Sequence, residues 1–186
     1  MRSFKTFYTE GKQVGVIYHY TSFGFLIGIL TTNQLGKGTI KEGRLHTPIS
    51  FTRDKHFHKG THKIGVPTDN ARIVLDGDRI ANNYKIEPYD YWRDPKRKLY
   101  KIDDLPKHQE EYDEKEEKMW TPLKNLDRYI IRIELFKEKL DDMFHYLYDK
   151  DIHGVTMYMG LDKYMTFLTE ESYIEFLKNY AEVELI

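Results

Sequence analysis

Three polar clusters carry the side chains of this chain whose types could do chemistry. They are Tyr18-His19-Tyr20-Thr21, Ser50-Phe51-Thr52-Arg53 and Glu116-Glu117. A histidine at a strand tip, just ahead of a helix start, stands where a ligand can dock. An arginine leaving a strand can grip phosphates or an incoming group through its fork of N–H donors. A carboxylate can steady a developing positive charge or move a proton. Each residue also has a plainer reading. His19 can be a satisfied strand-end imidazole, Arg53 a surface cation paired with Asp54 or Asp76, and the glutamates part of a solvated charge run. Alone, His19 favours the plain reading. The order and company of the clusters point the other way.

The elements that must position these residues are legible in the pattern. Val16, Ile17, Tyr18 and Tyr20 are strand formers. Ser22 can cap a helix whose buried face is Phe23, Leu26, Ile27 and Leu30, at i, i+3, i+4 and i+7. That helix is expected over 22–35, stopped by Gly36-Lys37-Gly38. Residues 48–54 read as a short strand emerging into a loop. Residues 71–76 form a clear strand with Gly77-Asp78 as its turn, and Pro88 bars a central strand from 79–91. Tyr129 to Leu135 alternates as a strand, and Lys139 to Tyr148 is a helix with Leu140, Phe144 and Leu147 on one face. Val155 to Met159 is a further strand, and a helix capped by Thr169 runs over 170–180. There are no repeats and no linker, so residues 1–186 are expected to form one α+β domain.

Composition narrows the function classes. Lys+Arg 29 against Asp+Glu 30 leaves a formal net charge of −1, so any basic site must be local. Cysteine is absent, which removes disulfide and thiolate chemistry and suits a reducing compartment. No apolar run is long enough to span a bilayer, and Met1-Arg2-Ser3-Phe4-Lys5 lacks the apolar core of a signal peptide. A cytoplasmic, membrane-free setting is expected. His56, His58 and His62 invite a metal reading. Without cysteine, or an H-x-x-x-H helix with a nearby glutamate, they are better read as part of a polar loop. From Arg93 to Lys118, seventeen of twenty-six residues are charged, a solvated stretch that turns apolar again at Met119-Trp120. Neither a G-x-G-x-x-G nor a P-loop occurs.

In their order along the chain, the three clusters resemble the ADP-ribosyltransferase superfamily. The resemblance is strongest to its DarT-like branch, whose members open with a Tyr-His-x-Thr strand feeding a helix. They then carry an aromatic-rich strand with a following arginine, and a glutamate much later. The resemblance covers roughly residues 14–135. It implies split mixed and antiparallel sheets with flanking helices around an NAD cleft. It also implies a mono-ADP-ribosyltransferase that uses NAD as substrate and modifies DNA, RNA or protein. The NAD-binding residues would be Tyr18, His19, Tyr20, Thr21, Ser50, Phe51, Thr52 and Arg53. Catalysis would fall to Arg53 with Glu117 or Glu116. Glu117 is preferred because strand alternation would put Met119 on its face, toward the core. The charged stretch 93–118 would then recognise the acceptor. Ser50-Phe51-Thr52 departs from the Ser-Thr-Ser of the toxin-like branch. The N-terminus and residues 72–88 also resemble proteins of tailed bacteriophages. Two other functions fit the same residue types: an inactive transferase fold serving as a binding or virion-associated protein, and a nuclease-like toxin using His19, Arg53 and Glu117.

Overall fold

A computed structural model describes residues 14–36, 40–41, 44–45, 48–53, 55, 70–88, 116–149, 155–160 and 163–186. Its centre is a seven-stranded mixed sheet. The strands, in chain order, are β1 (Val16–Thr21), β2 (Gln34–Leu35), β3 (Ile40–Lys41), β4 (Arg44–Leu45), β5 (Ile49–Thr52), β6 (Ala71–Asp76), β7 (Glu87–Pro88), β8 (Glu116–Met119), β9 (Leu123–Lys124), β10 (Ile130–Leu135), β11 (Val155–Gly160), β12 (Lys163–Phe167) and β13 (Val183–Leu185). The helices are α1 (Phe23–Thr32), α2 (Gly77–Ala81), α3 (Lys137–Asp149) and α4 (Glu170–Lys178). The sheet order is β13-β10-β6-β1-β5-β8-β7, and β11-β12, β2-β9 and β3-β4 form separate two-stranded pairs. Among the described residues only the β10–β13 pairing of the large sheet is parallel; the other pairings are antiparallel. The fold is α+β, as expected.

One face of the sheet builds the hydrophobic core. Ile17, Phe51, Ile73, Leu75, Ile133 and Leu135 present it, and Leu26 and Ile27 of α1, Ile80 of α2, Leu140 of α3 and Tyr173 and Leu177 of α4 complete it. Ser22 caps α1 by accepting from the Phe25 N–H at 3.3 Å. The helix ends sooner than expected, at Asn33, which adopts a left-handed conformation at φ 51°. Asn33 and Asp127 then clasp each other through two hydrogen bonds of 2.6 and 2.8 Å. That clasp holds Gln34–Leu35 as a strand against β9, so the tail of the expected helix is spent on sheet pairing.

The residues after β6 also differ from expectation. Gly77-Asp78 opens a short helix, capped by Asp76, which accepts from the Arg79 N–H at 2.9 Å. Asp78 takes up the amides of Val14 and Gly15 at 2.5 and 2.9 Å, while the Gly77 amide donates to the Gly15 carbonyl at 2.9 Å. A Cβ at Gly77 would lie 2.5 Å from that carbonyl. The lead-in to β1 is thereby locked to the end of β6, which fixes the β1–β6 register and the face each β1 residue occupies. Pro88 lies on the edge strand β7, where a missing N–H is tolerated. Thr169 caps α4 with a reciprocal capping box.

Candidate functional site

Register decides which polar residues share a face. Tyr18 pairs with Thr52, so antiparallel counting sets His19 beside Phe51, and Phe51 in turn pairs with Glu117. His19, Phe51 and Glu117 therefore form one row across three neighbouring strands. At the usual strand spacing of about 4.8 Å, the row spans about 10 Å. The His19 and Phe51 rings meet edge-on with centroids 6.0 Å apart. Arg53, just past the end of β5, completes the row by forming an ion pair with Glu117.

The electrostatics of the row are uneven. His19 is half-buried, and burial lowers its pKa below the ordinary 6.5 while its bond to Ser50 works in the opposite sense. The imidazole is thus neutral at pH 7. Its Nδ1 lies 3.0 Å from the Ser50 carbonyl, which can only accept, so Nδ1 carries the proton and Nε2 is left as an acceptor. Glu117 is 3% exposed, yet the side chain of its partner Arg53 is 32% exposed. The Arg53 Nε is buried and has no hydrogen-bond partner among the described residues. A buried carboxylate is thus held by a cation that still reaches solvent.

The structure does not bring all the candidate residues together. Tyr18 and Tyr20 face the other side of the sheet, where both rings lie against Arg72. Thr52 shares that face by its pairing with Tyr18, and Ser50 contributes its carbonyl to His19 while its side chain is exposed. Thr21 is buried on the His19 side, at the last position of β1. Glu116 lies at register opposite Thr52, one residue out of the His19 row. His56, His58 and His62, and residues 93–115 of the charged stretch, lie outside the described residues. Among the described residues no group of three or more His, Asp or Glu could hold a metal, and no helix is long and apolar enough to cross a membrane.

The reverse face holds a network that the sequence reading passed over. Arg72 and Glu134 are buried and paired, and Arg132 joins Glu134 at 2.7 Å and Glu184 at 2.8 Å. In the sequence Arg72 stands inside the strand-forming run 71–76. Its signal was an arginine in the middle of the β-forming run Ala71 to Leu75, where an unpaired charge could not survive.

No protein-family model matches the chain, and no curated protein matches it. Among solved structures it is similar to the DarT of Thermus sp. 2.9 in complex with NAD+, at a TM-score of 0.40 and 12% identity, covering 78% of this chain and 91% of that one. A likeness this loose carries no argument about chemistry, which has to come from the residues themselves.

Proposed function

We propose that the protein is an NAD-consuming mono-ADP-ribosyltransferase acting on a macromolecular acceptor. The observation that carries this reading is the row His19–Phe51–Glu117 on one sheet face, with Arg53 closing on Glu117. In such a reaction the bond between the nicotinamide nitrogen and ribose C1′ breaks, and nicotinamide leaves with the electron pair. A nucleophile on the acceptor then bonds to C1′ and loses its proton. Positive charge develops on the ribose, and a carboxylate beside its hydroxyls favours that state over the ground state. Glu117 takes this role. Arg53 keeps the carboxylate aimed, and its fork is of the kind that also holds a diphosphate. The neutral His19, with Nε2 as acceptor, suits a ribose hydroxyl that donates. Phe51 between them is buried in the core and anchors the row, its ring edge-on to His19. The charged residues 93–115, which lead directly into β8, would meet the acceptor. The lack of cysteine suits work in a cytoplasm, that of a host cell if the chain is phage-encoded.

A second reading is favoured by one fact: Glu117 is already buried and paired with Arg53. On that reading the fold is an inactive relative that binds without turnover. Incubating the protein with NAD labelled in its adenylate phosphate, together with cell lysate, separates the two. Transfer of label to protein, DNA or RNA, with nicotinamide released, supports the transferase. Binding of NAD with neither product supports the inactive fold, and no binding at all sinks both.

A further inference from the structure

We infer that Arg72, on the reverse face of the sheet, is a positioning residue for Arg53. The inference rests on the reading of the Arg53–Glu117 row as the reactive site. Arg72 is fully buried among aromatic rings, its guanidinium 5.0 Å from the Tyr18 centroid and 5.7 Å from those of Tyr20 and Phe136. Tyr20 and Phe136 stack on each other with centroids 6.3 Å apart, and the cation lies beside this pair. Glu134 accepts from its Nε and restrains the fork.

A second donor of the fork is used elsewhere. Arg72 Nη1 donates to the Tyr20 hydroxyl at 3.0 Å and to the backbone carbonyl of Lys55. The Tyr20 hydroxyl donates to the same carbonyl at 3.2 Å. Two side chains of the central strands therefore converge on one peptide group, two residues beyond Arg53. The ion pair alone does not require this, since well-packed apolar residues can replace a buried pair without loss of stability. What the fork adds is direction: it holds one named carbonyl. Arg53 is then fixed from both sides, by the pairing of Thr52 in β5 and by the clasped carbonyl of Lys55. Its side chain meets Glu117 with little freedom left to lose.

The test uses the full chain and the variants Arg72→Lys, Tyr20→Phe and Arg132→Lys. Arg132 belongs to the same charge network but has no described bond to Lys55, so it controls for loss of network charge. Amide hydrogen exchange of Arg53 and Lys55 should rise on the order of tenfold in Arg72→Lys and in Tyr20→Phe, and stay unchanged in Arg132→Lys. Should Arg72→Lys fail to fold, Tyr20→Phe decides alone. Equal exchange in Tyr20→Phe and Arg132→Lys overturns the clasp. On NAD turnover, Arg72→Lys should lower kcat, and the Arg72→Lys/Arg53→Lys double variant should be no slower than Arg53→Lys. Multiplying effects, or full turnover in Arg72→Lys despite faster exchange, would leave Arg72 a structural residue and overturn the positioning role. An inactive wild type would count against the transferase reading, while the exchange measurement still decides the clasp.

Discussion

The two faces of the sheet carry the same chemical pair in two different settings. On the reverse face Glu134, 1% exposed, meets Arg72, whose side chain is 2% exposed, and a second arginine shares the carboxylate. On the other face Glu117 is nearly as buried, but its arginine is open to solvent along a third of its side chain. Both carboxylates have lost their water, and both have a cation to compensate for that loss. The difference lies in what can be exchanged. The Arg72–Glu134 contact is enclosed by rings and a backbone carbonyl, so it can only hold the chain, although the second arginine, Arg132, is itself 28% exposed. The Arg53–Glu117 pair can trade one partner for a ligand without exposing the carboxylate. The two contacts differ in that Glu134 keeps a buried arginine, Arg72, when its exposed one is drawn away, whereas Arg53, the arginine at Glu117, is open to solvent.

The contrast can be broken by experiment, beginning with the reverse face. Glu134→Ala leaves Arg72 buried without its carboxylate and should cost about 3–5 kcal/mol of stability. Urea unfolding measures it, and a loss under about 1 kcal/mol would mean that the network is not closed. Glu117→Gln should do the opposite. It should slow NAD turnover by about 10², roughly 2.7 kcal/mol, with NAD still bound, and a variant that turns over at the wild-type rate removes Glu117 from the chemistry. Arg53→Lys keeps the charge but loses the fork, and we expect a drop in kcat/KM of roughly tenfold, about 1.4 kcal/mol. No change there would make Arg53 a simple surface cation.

The smallest effect concerns His19 and pH. Its folded pKa lies below 6.5, so as pH falls past that value the unfolded chain takes up the proton first. The full stability associated with neutral His19 is present above pH 6.5 and declines as the pH drops toward the folded pKa. His19→Gln should flatten that part of the acid slope while weakening affinity for an NAD analogue. Denaturation midpoints followed from pH 7.5 to 5 give the first result and calorimetry the second. Identical slopes in the two proteins would show that His19 does not titrate in this way.

Much of this contrast was open to a reader of the sequence, and some was closed for a physical reason. Val16 to Thr21, Ala71 to Asp76 and Ile130 to Leu135 lie next to one another in the sheet, and each showed the apolar or alternating pattern of a strand. Two-residue strands such as Gln34–Leu35 and Glu87–Pro88 have no period to read and exist only because a partner waits for them. β12 and β13 went unseen on similar grounds, being short pieces beside stronger helical signals. The candidate residues were nameable by type. Their division between faces was not, because a face is set by register, and register depends on Tyr18 meeting Thr52 and Phe51 meeting Glu117 from distant parts of the chain. Arg72 shows the limit most plainly. A charged residue inside an apolar run announces a partner, but nothing local says that the partner is Glu134, sixty-two positions away.

The seam at Gly77 carries a warning for anyone who would engineer this protein. Replacing a helical glycine by alanine is a routine stabilising substitution, worth about 0.4–1 kcal/mol through the unfolded chain. At position 77 the sign reverses, because the added methyl would need the space held by the Gly15 carbonyl and by Val14 Cγ1, 2.8 Å away. Its steric damage would fall on the entrance to β1, four residues ahead of His19. A library scored on helix propensity would select this change early, and the same change would loosen the strand that carries the candidate site.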